Sequence, residues 1–208
     1  DKKFKFFKTH NILGAINNSK FTDKKNTIGC IYIVRDPRNV ITSLQNHYEM
    51  SQEESLNFML NENKFIYDHS IKNDYSNFQF ISSWEKNYQS WINQKKFSVI
   101  MIKYEDLIND TLDTFKKVIE FIEFITKSRK VYNDKKAENS IQSTSFENMK
   151  KIERKDGFIE SILSKNESRK IPFFHLGPKN NWRKIFDQNY QKKLNFTFKQ
   201  NLKELNYL

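Results

Sequence analysis

Arg35 and Ser43 flank a junction where an apolar run meets a helical pattern, and their side chains suit the holding of an anion. Residues 30–34 (Cys30-Ile31-Tyr32-Ile33-Val34) read as a strand that runs straight into Arg35-Asp36-Pro37-Arg38-Asn39, with no glycine to make the turn. Pro37, Val40, Ile41, Leu44 and Tyr48 then recur at helical spacing, and Pro37 fits the first turn of a helix. In an open parallel sheet, ligands sit outside the carboxyl ends of the strands, where the following helices present N-termini that attract phosphate. An arginine there adds a permanently charged, fork-shaped donor. Ser43 shares a helix face with Asn39 and His47, away from the apolar stripe, so Arg35 and Ser43 can reach one anion from two directions. The plainer reading is that Arg35 pairs with Asp36 or a surface carboxylate. Lys8 and His10 lie two apart in an extended run, which projects both side chains to one side. Taken alone, that pair reads as surface decoration after a strand.

The elements that must position these residues follow from periodicity. Residues 3–7, 30–34 and 97–102 read as strands, and the last two are continuous apolar runs, the pattern of strands buried on both faces in a parallel sheet. Helical patterns cover 37–48, 51–60 with a capping box between Ser51 and Glu54, 79–93 with Phe80, Trp84, Tyr88 and Trp91, and 111–126. Trp84 and Trp91 stand at core spacing and are assigned no ligand. Beyond 128 the chain reads as helix and loop, ending in a helix over about 187–205. With no internal repeat or low-complexity linker, the economical reading is one α/β domain over residues 1–208.

Composition narrows the chemistry. The 208 residues carry a net charge of +11, which suits an anionic partner, although much of the lysine is interspersed with Glu, Asp and Asn on faces that read as solvated. A single cysteine, Cys30, excludes an internal disulfide, fits a reducing compartment, and in an apolar strand reads as core rather than nucleophile. The histidines at 10, 47, 69 and 175 lack metal-ligand spacing, and neither a Walker A loop nor a GxGxxG turn is present. No metal is expected. No apolar run reaches the length of a membrane span and no signal-peptide pattern opens the chain, so the expected setting is cytoplasmic.

Five segments, in order, resemble the sulfotransferases of the cytosolic type. "YIVRDPRNVITS" looks like the strand–loop–helix by which that family holds the 3'-phosphate of 3'-phosphoadenosine 5'-phosphosulfate (PAPS). "FFKTHN" at 6–11 resembles its Lys-Thr-His segment, and "SWEKNYQSWI" followed by "VIMIKYEDLINDT" its Trp-bearing helix and the strand ending in Tyr-Glu-Asp. "STSFENMKK" at 143–151 resembles its Thr-Ser-Phe segment, and "FFHLGPKNNWRKIF" at 173–186 its C-terminal cofactor loop. The resemblance spans roughly residues 5–186. It implies a three-layer, P-loop-kinase-like α/β fold: a parallel sheet flanked by helices, with a helical C-terminal part.

The resemblance also implies roles. His10 would be the general base that takes the acceptor's proton, a task suited to an imidazole, and Lys8 would neutralise charge building on the sulfuryl and bridging oxygens. Arg35 and Ser43 would hold the 3'-phosphate, the Tyr104 hydroxyl would lie on the adenine side, Phe146 would stack on adenine, and Thr144 would contact the nucleotide. Two departures stand out. Where the family has Arg-Lys-Gly and then Gly-Asp-Trp, this chain has His175, Leu176, Gly177 and then Asn180-Asn181-Trp182. That leaves His175, Lys179 and Arg183 as candidates for the second clamp, with Gly177 permitting close backbone approach. The family's 5'-phosphosulfate loop and its strand are missing. The chain starts at Asp1 almost directly in "FKFF", so it is expected to be a C-terminal portion, N-terminally incomplete, whose activity alone is open.

The expected reaction is sulfuryl transfer from PAPS, as co-substrate, to a hydroxyl or amine of a small molecule. The acceptor cavity is expected to include parts of 11–28, 45–80 and 155–172, which carry no diagnostic pattern, and the oligomeric state is not legible. Two alternatives come from other classes. One is a sulfotransferase-like module that binds a nucleotide without turnover. The other, a nucleic-acid-binding protein, has only net charge in its favour and lacks a recognition motif.

Overall fold

A computed structural model describes residues 4–67, 77–128, 132–166 and 168–208. In chain order the elements are β1 (Ala15–Ile16), β2 (Ser19–Lys20), β3 (Gly29–Val34), α1 (Pro37–Tyr48), α2 (Gln52–Leu60), β4 (Phe65–Ile66), β5 (Gln79–Phe80), α3 (Trp84–Ile92) and β6 (Ser98–Lys103). Then come α4 (Tyr104–Asn109), α5 (Thr111–Thr126), α6 (Asp134–Ser143), α7 (Phe146–Asp156), a 3-10 turn (Gly177–Lys179), α8 (Trp182–Ile185), α9 (Gln188–Thr197) and α10 (Lys199–Glu204). The architecture is α/β, with β3 and β6 paired in a parallel sheet flanked by helices. The chain divides into two compact units: Asp1–Cys30 with Phe58–Val99, and Ile31–Asn57 with Ile100–Leu208.

In the first unit, β1 and β2 form a hairpin across Asn17 and Asn18, both at positive φ, the conformation a two-residue hairpin turn requires. The segment from Thr9 to Leu13 is tied to β5 and α3. Gln79, Asn87, Ser90 and Trp91 all reach it with side chains, and Tyr88 and Trp91 are buried on the helix. Ser83 caps α3 by accepting from the Lys86 amide, so the helix starts at Trp84. The sequence pattern over 79–93 therefore overshoots its start: Gln79 and Phe80 pair with Phe65 and Ile66 as strands.

In the second unit, Asp36 caps α1, accepting from the Arg38 amide, and Pro37 occupies the first turn. The Ser51–Glu54 capping box at the start of α2 is present in both directions: Ser51 N donates to Glu54 Oε2 at 2.7 Å, and Glu54 N to Ser51 Oγ at 3.2 Å. Val34, Ile41, Ile102, Leu194, Leu202 and Leu205 are buried, each less than 6% exposed.

Three further expectations need correction. Residues 4–7 form no strand, and Phe6 and Phe7 are 75% and 84% exposed. Among the described residues they have no strand partner, and without a ladder an apolar alternation does not become a strand. β3 and β6 are not buried on both faces, since Ile33 and Met101 are exposed. Among the described residues the sheet they make has two strands. The C-terminal helix breaks into α9 and α10 at Phe198, whose φ and ψ (−99°, 13°) leave the helical range.

Candidate functional site

Arg35 follows the last residue of β3 and meets three elements of the second unit. Its Nη1 donates to Ser43 Oγ on α1 at 3.4 Å, and its Nη2 to the Gly177 carbonyl at 3.2 Å. Its guanidinium carbon lies 4.1 Å from the centre of the Tyr104 ring, a cation–π contact. The buried Arg35 Nε has no hydrogen-bond partner. Burial lowers the Arg35 pKa from its ordinary value, opposed by attraction to Tyr104, Glu105, Asp36 and Tyr207. Asp36 is not its partner. That carboxylate takes Arg38 in a two-pronged pair, Nε to Oδ1 at 2.9 Å and Nη2 to Oδ2 at 2.7 Å, and Arg38 lies over the Trp182 ring. With Asp36 committed to Arg38, the fork of Arg35 goes to Ser43 and Gly177.

Tyr104 is the first residue of α4 rather than the last of the strand. Its ring therefore turns under the Arg35 guanidinium. Gly177 is held at φ +51°, and a β-carbon there would collide with the Phe146 ring. The two segments thought to embrace the nucleotide, 143–151 and 173–186, thus meet ring against backbone. Phe146 also has Phe174 at 6.0 Å edge-on and the Lys150 ammonium 5.6 Å from its centroid. Lys150 Nζ in turn donates to the His175 carbonyl at 3.2 Å.

The other expected ligands are not gathered at Arg35. The Thr144 hydroxyl donates to the Ser140 carbonyl at 2.7 Å, closing α6. His175 is exposed and turns its carbonyl to Lys150. Lys179 is exposed at the end of the 3-10 turn. Arg183 lies over the Trp182 ring at 4.5 Å. The residue that does reach Ser43 is one the sequence reading passed over. Asn180 Nδ2 donates to Ser43 Oγ at 3.2 Å and to the Asn39 carbonyl at 3.0 Å, while Thr42 Oγ1 lies 2.6 Å from Asn180 Oδ1. Asn39 Oδ1 accepts from the Trp182 amide at 3.0 Å, which seats the loop on α1. The legible signal was the shared face of Asn39 and Ser43.

Lys8 and His10 belong to the first unit. Both are exposed while Thr9 between them is half-buried, the alternation of an extended segment. Gln79 Oε1 accepts from the His10 amide at 2.6 Å, Asn87 Nδ2 donates to the His10 carbonyl at 3.0 Å, and the Trp91 indole donates to the Asn11 carbonyl at 2.9 Å. The backbone around His10 is therefore fixed on both sides. Trp91 serves as a backbone anchor. Cys30 is half-buried, and desolvation pushes its thiol up to about 11, which disfavours the nucleophilic thiolate. Residues 68–76 of the expected acceptor region lie outside the described residues. Among the described residues, no group of three or more His, Cys, Asp and Glu side chains could hold a metal, and no helix is long and apolar enough to cross a membrane.

A strand-end arginine bonded to a serine on the next helix and to a glycine loop packed on an aromatic ring is thus built into an α/β fold. The sulfotransferase domain model matches residues 1–206, and the chain belongs to that family. The luciferin sulfotransferase of Photinus pyralis is 28% identical over 120 residues, which are 58% of this chain and 29% of that protein. The crystal structure of mouse sulfotransferase SULT7A1 complexed with PAP has the same fold, with a TM-score of 0.55 at 21% identity, covering 86% of this chain and 59% of that one. The chain thus spans only part of the length of either relative.

Proposed function

We propose that this chain serves sulfuryl transfer from PAPS to a hydroxyl or amine of a small-molecule acceptor, with His10 as the general base. The observation that supports it is the half-buried Arg35, bonded to Ser43 and to the Gly177 carbonyl, whose buried Nε lacks a partner. A buried donor without an acceptor is costly, by about 1–3 kcal/mol, and a phosphate oxygen would relieve it. The named ligand of the mouse structure, PAP (adenosine 3',5'-bisphosphate), and the named activity of the firefly relative agree with a nucleotide donor and a small acceptor.

The donor supplies an activated sulfuryl group with a phosphate leaving group. In this reading, Arg35 and Ser43 hold the 3'-phosphate, Tyr104 supports Arg35 from below, and Phe146 offers a ring face to the base. His10 removes the acceptor's proton as its oxygen or nitrogen attacks sulfur, and Lys8 offsets negative charge on the sulfuryl oxygens. A module that binds nucleotide without turnover is the second reading, favoured by the exposed His175 where the family's clamp is an arginine.

Titration with PAP and AMP, paired with a sulfuryl-transfer assay, tests both. Arg35→Ala should weaken PAP roughly ten- to a hundredfold and leave AMP nearly unchanged, because the lost contact is to the 3'-phosphate. His10→Ala should keep PAP affinity and cost on the order of a hundredfold or more in rate. Equal losses of PAP and AMP on Arg35→Ala would sink the phosphate assignment. PAP binding by a chain that transfers no sulfuryl group, with or without its family's upstream loop, would leave the binding module.

A further inference from the structure

We infer that Asn180 is a positioning residue that makes the Ser43 hydroxyl an obligatory donor toward an anion at Arg35, an inference that rests on the nucleotide reading above. A serine hydroxyl has one proton and two lone pairs. Both acceptor directions of Ser43 Oγ are taken, by Arg35 Nη1 at 3.4 Å and Asn180 Nδ2 at 3.2 Å. What remains to Ser43 is to donate.

Its present acceptor is the Asn39 carbonyl, 3.2 Å away. That carbonyl already receives Asn180 Nδ2 at 3.0 Å, so it keeps a donor when the Ser43 proton swings outward. The direction of the amide is not free. The Asn39 carbonyl only accepts, so the end of Asn180 facing it must be the NH2, and the other end faces the Thr42 hydroxyl at 2.6 Å. Asn180 is 9% exposed and Thr42 5%, so water competes little for these bonds. A glycine, which the sulfotransferase pattern carries at this place, could do none of this. The amide is a polar contribution of this chain, in the loop where the pattern's arginine is lacking.

The test is a double-mutant cycle on the 208-residue chain, read as affinity for PAP and for AMP. Asn180→Ala and Asn180→Gly should each weaken PAP roughly tenfold with AMP unchanged, the worth of about one hydrogen bond to a charged group. Asn180→Asp should weaken it more, since its carboxylate captures the Ser43 proton and repels the phosphate. In a Ser43→Ala background, Asn180→Ala should cost less than about twofold, because the hydroxyl it directs is gone. Additive losses in the cycle, or equal losses for AMP, overturn the inference and make Asn180 structural. Thermal unfolding of each variant identifies any that fail to fold, and the glycine and alanine variants check one another. If Arg35→Ala weakens PAP while the Asn180 variants do not, this inference alone fails. If Arg35→Ala leaves PAP binding unchanged, the nucleotide reading fails with it.

Discussion

The Arg35 guanidinium carbon lies over the Tyr104 ring, 4.1 Å from its centre, where β6 gives way to α4. The contact supports the arginine through the ring face, without competing for its N–H groups. Cation–π contacts contribute about 0.5–2 kcal/mol depending on burial. Tyr104→Leu should therefore weaken PAP severalfold, whereas Tyr104→Phe, which keeps the ring, should stay close to the parent. Calorimetric titration decides it. Equal losses in both variants would return the role to the hydroxyl, as the family resemblance implied.

Gly177 and Phe146 make a second pair whose geometry fixes residue type. A side chain at Gly177 meets two obstacles: a left-handed backbone at φ +51° and the Phe146 ring. Gly177→Ala should lose about 1–2 kcal/mol to the backbone and about 1–3 kcal/mol more to overpacking, seen as a lower urea midpoint. Adding Phe146→Ala should recover the packing part and not the backbone part. Full additivity in that cycle would mean the ring and the glycine are not in contact.

Local signals made part of this arrangement legible and left the rest hidden. Asp36-Pro37 and Ser51-x-x-Glu54 set helix starts through bonds spanning two or three residues, so α1 and α2 were readable from sequence. Phe80 misled because it falls at helical spacing before Trp84. What holds it is Asn11 Oδ1, accepting from its amide at 2.8 Å, and Phe65 across the ladder, both far away in the chain. The site shows the same divide. Arg35 at a strand end and Ser43 on the face after it are neighbours in sequence, and the pairing is present. The amide of Asn180 finds partners 137 and 141 residues earlier, which no local period encodes. Arg183 carried the right charge, but charge does not fix direction. The adjacent Trp182 ring claims it.

Glu153 on α7 ties down the backbone that leads into Gly177. It accepts from the Phe173 amide at 2.6 Å, the Phe174 amide at 3.0 Å and the Ser161 hydroxyl at 2.7 Å. Burial pushes its carboxyl upward, but these bonds and the nearby Lys150 outweigh that and hold it below the ordinary 4.5. A depressed pKa means the folded chain binds fewer protons than the unfolded one. The stabilisation is complete above pH 4.5 and is lost as pH falls through the folded value. Glu153→Gln should thus cost about 1 kcal/mol near pH 7, a modest figure because the group is partly solvated, and flatten the decline in stability from about pH 5 to pH 3. Urea unfolding of both chains across that range is the measurement. PAP affinity should fall with the substitution, since residues 173–177 lose their tether. Parallel pH curves for parent and variant would show that the carboxylate charge does not hold the loop.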